Sequence, residues 1–338
     1  MKKWQRIIGV AAIAAVIATA GSALSPHDQQ SIETFQLPGG ALLDKIVVPG
    51  GLPPAVKMET VRAPESNKAA GINILINVPA FDWSYGCSAT SAAMLAGYYD
   101  NTGYPNMYSG PANGGSCPMD NSTWGYGECP LSATHQGIDG RPVRGHVDDY
   151  WVSFGDAGPD PFITNEWPEH STANCTGDFM RTNQSAYGNS DGSTTFYYWG
   201  DGSPFSSPGY PDDGGFGLEL FLESRGYVVT SRFNQYIVEE GQTYGFSFAQ
   251  YQQEIDAGRP ILIHVTGHTM LGYGYNTSGS LIYIHDTWDH DDHQMTWGGS
   301  YSGMTHYAVT VIELEDNSCV FTDGFESSDP SGWSSCVP

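Results

Sequence analysis

Basic residues are scarce in this chain of 338: 13 Lys and Arg stand against 37 Asp and Glu, a formal charge of −24. A surface of that sign repels polyanions, so neither nucleic acid nor an anionic membrane face is an expected partner. Long apolar runs are missing too, apart from one near the start. From Ile7 to about Ala18 the chain is apolar, but this falls short of the ~20 residues that a membrane span needs. Lys2, Lys3 and Arg6 precede the run, and the small residues Ala20, Gly21, Ser22 and Ala23 follow it. That order is a secretory signal peptide over 1–23, so the chain is expected to be secreted or periplasmic, with no membrane span. Charged residues make up only 15%, whereas Gly (42), Pro (21) and Tyr (20) are abundant, which points to turns and irregular loops. Six cysteines in an exported chain are first read as disulfides.

Residues 24–71 bear prolines with weak periodicity, and Ala63-Pro64-Glu65-Ser66-Asn67 reads as a linker. The segment is a pro-segment or an extended arm; its residues leave both open. One domain is expected over 72–316, with a tail at 317–338. Within it, 72–78 alternates as a strand closed by Pro79, and Asp82-Trp83-Ser84 forms a turn. Ala92, Leu95, Ala96 and Tyr99 then fall at helical spacing, which puts Cys87 in the first turn of a helix. Residues 101–215 are rich in Gly, Asn, Asp, Ser and Pro and are read as a loop-rich insertion. Leu218, Phe221 and Leu222 mark a second helix, and the capping-box pair Ser247 and Gln250 a third. Strand-like runs follow at 261–265, 269–275, 281–285 and 307–314. Helices first and an antiparallel sheet later give an α+β fold, with the Cys87 helix packed on the sheet.

Thiolate is the reactive form of cysteine, and a helix N-terminus together with a nearby imidazolium lowers the thiol pKa. Cys87 has the helix. His268, at the start of the 269–275 strand, is the candidate imidazole, and Asp286, at the end of the neighbouring strand, is the candidate that orients it. A hairpin turning at Asn276 to Gly279 would bring the Asp286 carboxylate beside His268. His264, His285 and His306 also lie on or beside strands, and His306 is the reserve choice. Read alone, Cys87 is equally a half-cystine and Asp286 a turn aspartate. With Cys87 set aside, Cys117 with Cys129 and Cys319 with Cys336 are plausible local pairs, which leaves Cys175 over.

The segment Gly86-Cys87-Ser88-Ala89-Thr90-Ser91-Ala92-Ala93-Met94, then Asp256-Ala257-Gly258-Arg259-Pro260-Ile261, Gly267-His268 before Gly272-Tyr273, and Asp286-Thr287-Trp288 resemble cysteine peptidase family thirty-nine of the papain clan. The resemblance covers about 73–314 and is nearest to stand-alone exported members. It implies a papain-like cysteine peptidase fold, with Cys87 as nucleophile, His268 as base and Asp286 as the orienting residue. It also implies a peptide or protein substrate and no cofactor. The best-known members cleave leader peptides after a double glycine and are fused to transporters; no transporter is present in this sequence. The family's glutamine about six positions before the cysteine, which donates to the oxyanion, is replaced here by Phe81, with Asp82 next to it. Loss of one such donor costs ~2.7 to 4 kcal/mol of transition-state stabilisation.

The expected function is therefore exported cysteine-type peptidase. The alternative is an inert papain-like protein that binds carbohydrate or a cell surface through the Tyr- and Trp-rich insertion. The run from His285 through Asp286, Asp289, His290, Asp291 and Asp292 to His293 has ligand-type residues but no standard metal spacing, and is read as a solvated acidic loop with no metal. The tail around Phe321, Gly324, Phe325 and Trp333 resembles a short C-terminal tag carried by many exported proteins. Oligomeric state is not readable.

Overall fold

The computed structural model describes residues 30–50, 53–54, 58–63, 71–108, 116–124, 129–133, 175–189, 192–238 and 242–315. The expected signal peptide at 1–23, the tail at 317–338 with Cys319 and Cys336, and much of the 101–215 insertion lie outside the described residues. In chain order the elements are β1 (Ser31–Gln36), β2 (Leu42–Val48), β3 (Ile72–Ile74), α1 (Cys87–Asn101), a one-turn α2 (Thr176–Phe179), β4 (Thr194–Trp199), α3 (Gly214–Ser224), β5 (Val229–Tyr236) and α4 (Phe248–Asp256). They continue with β6 (Ile261–Val265), β7 (His268–Asn276), β8 (Leu281–His285), β9 (His293–Thr296), β10 (Ser300–Tyr301) and β11 (Met304–Leu314).

Mixed α and β structure with antiparallel sheets is what these elements build. The large sheet runs β10-β11-β6-β7-β8-β9, with β3 added to β7 and β5 to β11. Alternation along β6 shows how it is buried on both faces. Leu262 joins the core on the α1 side with Leu271, Leu95 and Ala96, while Ile261, Ile263 and Val265 point the other way, to Tyr251 and Ile255 of α4. On that second face, α4 begins with the capping box read from the sequence: the Ser247 hydroxyl accepts from Gln250 N–H and the Gln250 side chain accepts from Ser247 N–H.

Three features depart from the sequence reading. The weakly periodic arm contains a hairpin, because β2 pairs with β1 on one side and with β4 on the other, Leu43 opposite Trp199 through Val48 opposite Thr194. The strand expected over 72–78 stops at Ile74, and Asn77 takes φ 63°, which ends extended structure. No disulfide forms among the described residues: Cys87, Cys117, Cys129 and Cys175 are buried thiols. The Cys117–Cys129 pair that the sequence offered is not bonded, and Cys117 is a buried thiol with Cys129 as a neighbour. The Cys117 sulfur lies so close to α1 that a Cβ at Gly97 would meet it at 2.7 Å. No helix among the described residues is long and apolar enough to cross a membrane.

Candidate active site

Helix α1 starts at Cys87 because the two residues before it turn the chain sharply. Tyr85 has φ 59° and Gly86 φ 134°, the latter a conformation that only glycine adopts without strain. Thr90 then secures the first turn, its hydroxyl accepting from Ser84 N–H at 3.0 Å and donating to the Gly86 carbonyl at 2.9 Å. Serines tie the helix to β7: the Ser88 hydroxyl meets that of Thr269 at 2.9 Å, and the Ser91 hydroxyl donates to Thr269 O at 3.0 Å. The thiol of Cys87, 1% exposed, donates to the Pro49 carbonyl at 3.6 Å. Burial pushes its pKa up; the Thr269 N–H, one residue from His268, leads the opposing interactions.

His268 opens β7 after a two-residue turn through Thr266 and Gly267 that sets Val265 opposite it. Its Nε2 donates to the backbone carbonyl of Asp286 at 2.7 Å. A carbonyl only accepts, so Nε2 carries the proton and, in the neutral ring, Nδ1 is the basic nitrogen. The ring lies against Trp288, with centroids 4.7 Å apart. Burial lowers the His268 pKa to about 4, against the raising effect of the Asp286 carbonyl. The imidazole is therefore neutral at neutral pH.

Asp286 meets His268 through its main chain, which corrects the expectation that its carboxylate would do so. The carboxylate turns away because it closes the next bend. Oδ1 accepts from Trp288 N–H at 2.9 Å across Thr287, whose φ is 66°. Oδ2 accepts from the Tyr301 hydroxyl at 2.6 Å and lies 3.5 Å from His293 Nε2. Burial leads the upward shift of the Asp286 pKa, with His293 opposing it.

The run from His285 to His293 is solvated in its middle, at His290 and Asp291, as expected, but buried at its two ends. Asp286 and His293 are buried, and His293 reaches Asp289 at 2.9 Å and the Glu59 carbonyl at 3.0 Å. Asp286, Asp289 and His293 together offer three ligand-type atoms within 4.8 Å of one another. Those atoms are already engaged in the ion-pair and hydroxyl contacts just described. The other candidate histidines have structural partners. His264 bridges the hydroxyls of Thr269 and Thr310 at 3.1 and 2.8 Å, and His306 Nδ1 accepts from Gly298 N–H at 3.2 Å. His285 stacks on Tyr273 with centroids 4.3 Å apart.

At the position of the family's glutamine, Phe81 is buried and its N–H points to Met94 Sδ at 3.2 Å. Asp82 pairs with Asn121, whose carboxamide accepts from Asp82 N–H at 3.1 Å and donates to the Asp82 carboxylate. His290 Nε2 donates to the same carboxamide oxygen at 2.6 Å. Asn121 was invisible to sequence reasoning, since a lone Asn in a loop-rich insertion carries no signal of burial.

Residues 209–309 match the model of a family described as Peptidase_C39 like family. The matched segment begins just before α3 and ends within β11; His268 and Asp286 lie inside it and Cys87 upstream. The match is consistent with the family resemblance carried by the motifs. No curated protein and no solved structure matches the chain.

Proposed function

Taking the family match as premise, we propose that this chain is an exported cysteine peptidase of papain-like fold, with Cys87 as nucleophile, His268 as general base and Asp286 holding the imidazole through its backbone carbonyl. One observation carries the reading: the Nε2–H bond to Asp286 O leaves Nδ1 as the basic nitrogen of an imidazole that follows the β6–β7 turn, one residue from Thr269, whose N–H acts on the Cys87 thiol. In this mechanism Nδ1 takes the thiol proton and the thiolate attacks the substrate carbonyl. The backbone N–H of Cys87, at the positive end of α1, stabilises the tetrahedral oxyanion. The imidazolium then protonates the leaving amine, and water hydrolyses the acyl-enzyme with Nδ1 again acting as base.

A second reading, a non-catalytic protein that binds peptide or carbohydrate, is favoured by Phe81 and Asp82 standing where the family has its amide donor and by the upward-shifted thiol. Mass-spectrometric mapping of a thiol-directed electrophile separates the two. Cys87 is expected to be labelled in the wild-type chain, more slowly after His268→Ala, with hydrolysis of a peptide library abolished in Cys87→Ala. Labelling at the same rate with and without His268 would overturn the peptidase.

Tyr301 is expected to act as a positioning residue. Tyr301→Phe removes a hydroxyl that donates to a buried carboxylate, which is worth roughly 2 kcal/mol. Thermal unfolding should show that loss, and kcat should fall more than KM rises, because the Asp286 turn that presents the carbonyl to His268 is loosened.

A further inference from the structure

We propose that a buried row of hydrogen bonds, all running one way from Ser88 to Asp213, keeps the Ser88 proton turned from the Cys87 sulfur, which makes His264 and Thr310 positioning residues that act on the thiol through Ser88. Only the choice of Cys87 as the reacting group comes from the peptidase reading.

Four strands and two helix starts supply the row. In the large sheet β7, β6, β11 and β5 lie side by side, and their register sets His264 opposite Thr269 and Thr310 opposite Asn234. All four side chains are buried, with the His264 ring among Phe196, Tyr198 and Tyr307. Ser88 of α1 joins at one end, its hydroxyl 2.9 Å from that of Thr269. At the other end is Asp213, which caps α3 and accepts from the Asn234 amide nitrogen at 2.6 Å.

The direction follows from what each atom can do. The Asn234 amide nitrogen faces two acceptors, the Asp213 carboxylate and the Tyr197 carbonyl at 3.3 Å, so its Oδ1 faces Thr310. An amide oxygen only accepts, and the Thr310 hydroxyl gives it its one proton at 2.7 Å. Thr310 then accepts from His264 Nε2–H at 2.8 Å, which leaves Nδ1 bare to accept from the Thr269 hydroxyl at 3.1 Å. Thr269, its proton committed, accepts from Ser88. In the opposite polarity Asn234 Oδ1 would be buried without a donor, which costs free energy. Arg232, 3.3 Å from Asp213, holds the terminal carboxylate in place. A hydroxyl that donates to a thiolate favours it, and the Ser88 side chain is among the groups that act on Cys87. The row directs that proton to Thr269 instead.

The test uses the full-length protein and the rate at which iodoacetamide alkylates Cys87. Thr310→Val keeps the outline of the side chain and removes the link. His264 then gains by carrying its proton on Nδ1, so that Thr269 donates to Ser88 and Ser88 to the sulfur. Alkylation at pH 7.5 is expected to rise about 10-fold, with its pH profile displaced about one unit to lower pH. Thr269→Val, which takes away the acceptor of the Ser88 proton, should act in the same direction. Thr310→Ser keeps the hydroxyl and should match the wild type, and adding Ser88→Ala to Thr310→Val should cancel the acceleration. No acceleration in either valine variant, with circular dichroism like the wild type, would overturn the row. So would an acceleration that Ser88→Ala leaves in place, since looser packing alone produces that. Acceleration that Ser88→Ala cancels, without hydrolysis of any peptide, keeps the row and removes the peptidase. Cys87-dependent hydrolysis with alkylation unmoved by both valine variants keeps the peptidase and removes the row.

Discussion

His268→Ala is expected to lower kcat/KM toward a peptide by about 10³-fold, near 4 kcal/mol of transition-state stabilisation. The size follows from the state of the thiol. Burial holds the Cys87 proton on sulfur at neutral pH, and only thiolate attacks a carbonyl, so the proton must be removed as the bond forms. His268 has its tautomer fixed by the Asp286 carbonyl, whereas His264 has both nitrogens engaged by hydroxyls and His306 has its Nδ1 engaged by the Gly298 N–H. The pKa of His268, near 4, and the raised thiol make the resting pair a neutral thiol and a neutral imidazole. Alkylation of Cys87 is therefore expected to quicken as the pH rises through the alkaline range, where a thiol raised by burial begins to ionise. A preformed thiolate–imidazolium pair would instead give a rate that is flat across neutral pH. Measuring that profile in the wild type and in His268→Ala checks both statements; a flat profile would sink the neutral pair.

Local signals made the three longer helices and much of the large sheet readable, and distant partners hid the rest. Ser247 and Gln250 announce α4, the helical spacing of Ala92, Leu95, Ala96 and Tyr99 announces α1, that of Leu218, Phe221 and Leu222 announces α3, and the apolar runs of β6, β7 and β8 are bounded by Gly and Pro. Strand β2 was missed because what buries it, β4, lies about 150 residues further on, and its apolar residues split between the two faces, Leu43 on one and Ile46 and Val48 on the other, so no period-two pattern shows. Strand β5 was missed for another reason. Arg232 and Asn234 face inward, and alternation assigns polar residues to solvent. Arg232 reaches Glu219 at 2.8 Å and Asp213 at 3.3 Å, and Asn234 reaches Asp213 at 2.6 Å, so the buried side of β5 is a polar network. At the site, residue types and order pointed to Cys87, His268 and Asp286. They could not tell that Asp286 uses its carbonyl toward His268, because that choice is made by Tyr301 and by the Trp288 N–H of a bend that spacing does not reveal.

Stability is expected to fall steeply between pH 6.5 and 4, and activity to be lost there through unfolding before His268 itself titrates. Four buried histidines carry the effect. Burial lowers His264 and His306 to about 3 and His268 and His285 to about 4. In the unfolded chain each titrates near 6.5. Across that window the unfolded state holds protons that the folded state refuses, so stability is full above about 6.5 and declines as the pH falls. Asp213 works the other way. Burial leads its rise to about 6, with Arg232 opposing it, so the folded state takes up that proton first and recovers part of the loss. His293, also raised, likewise holds its proton in the folded state. Counting the four histidines against Asp213, the slope near pH 5 is roughly 4 kcal/mol per pH unit. A total stability of roughly 5–15 kcal/mol is exhausted over a few units of such a slope. Urea midpoints at pH 7.5, 6 and 5 should drop in step, with the slope reduced by about one proton in His264→Gln, whose amide can still meet the hydroxyls of Thr269 and Thr310. A midpoint that holds steady from pH 7.5 to 5 would mean that these histidines are solvated in the folded chain, and the neutral His268 required by the proposed mechanism would lose its physical basis.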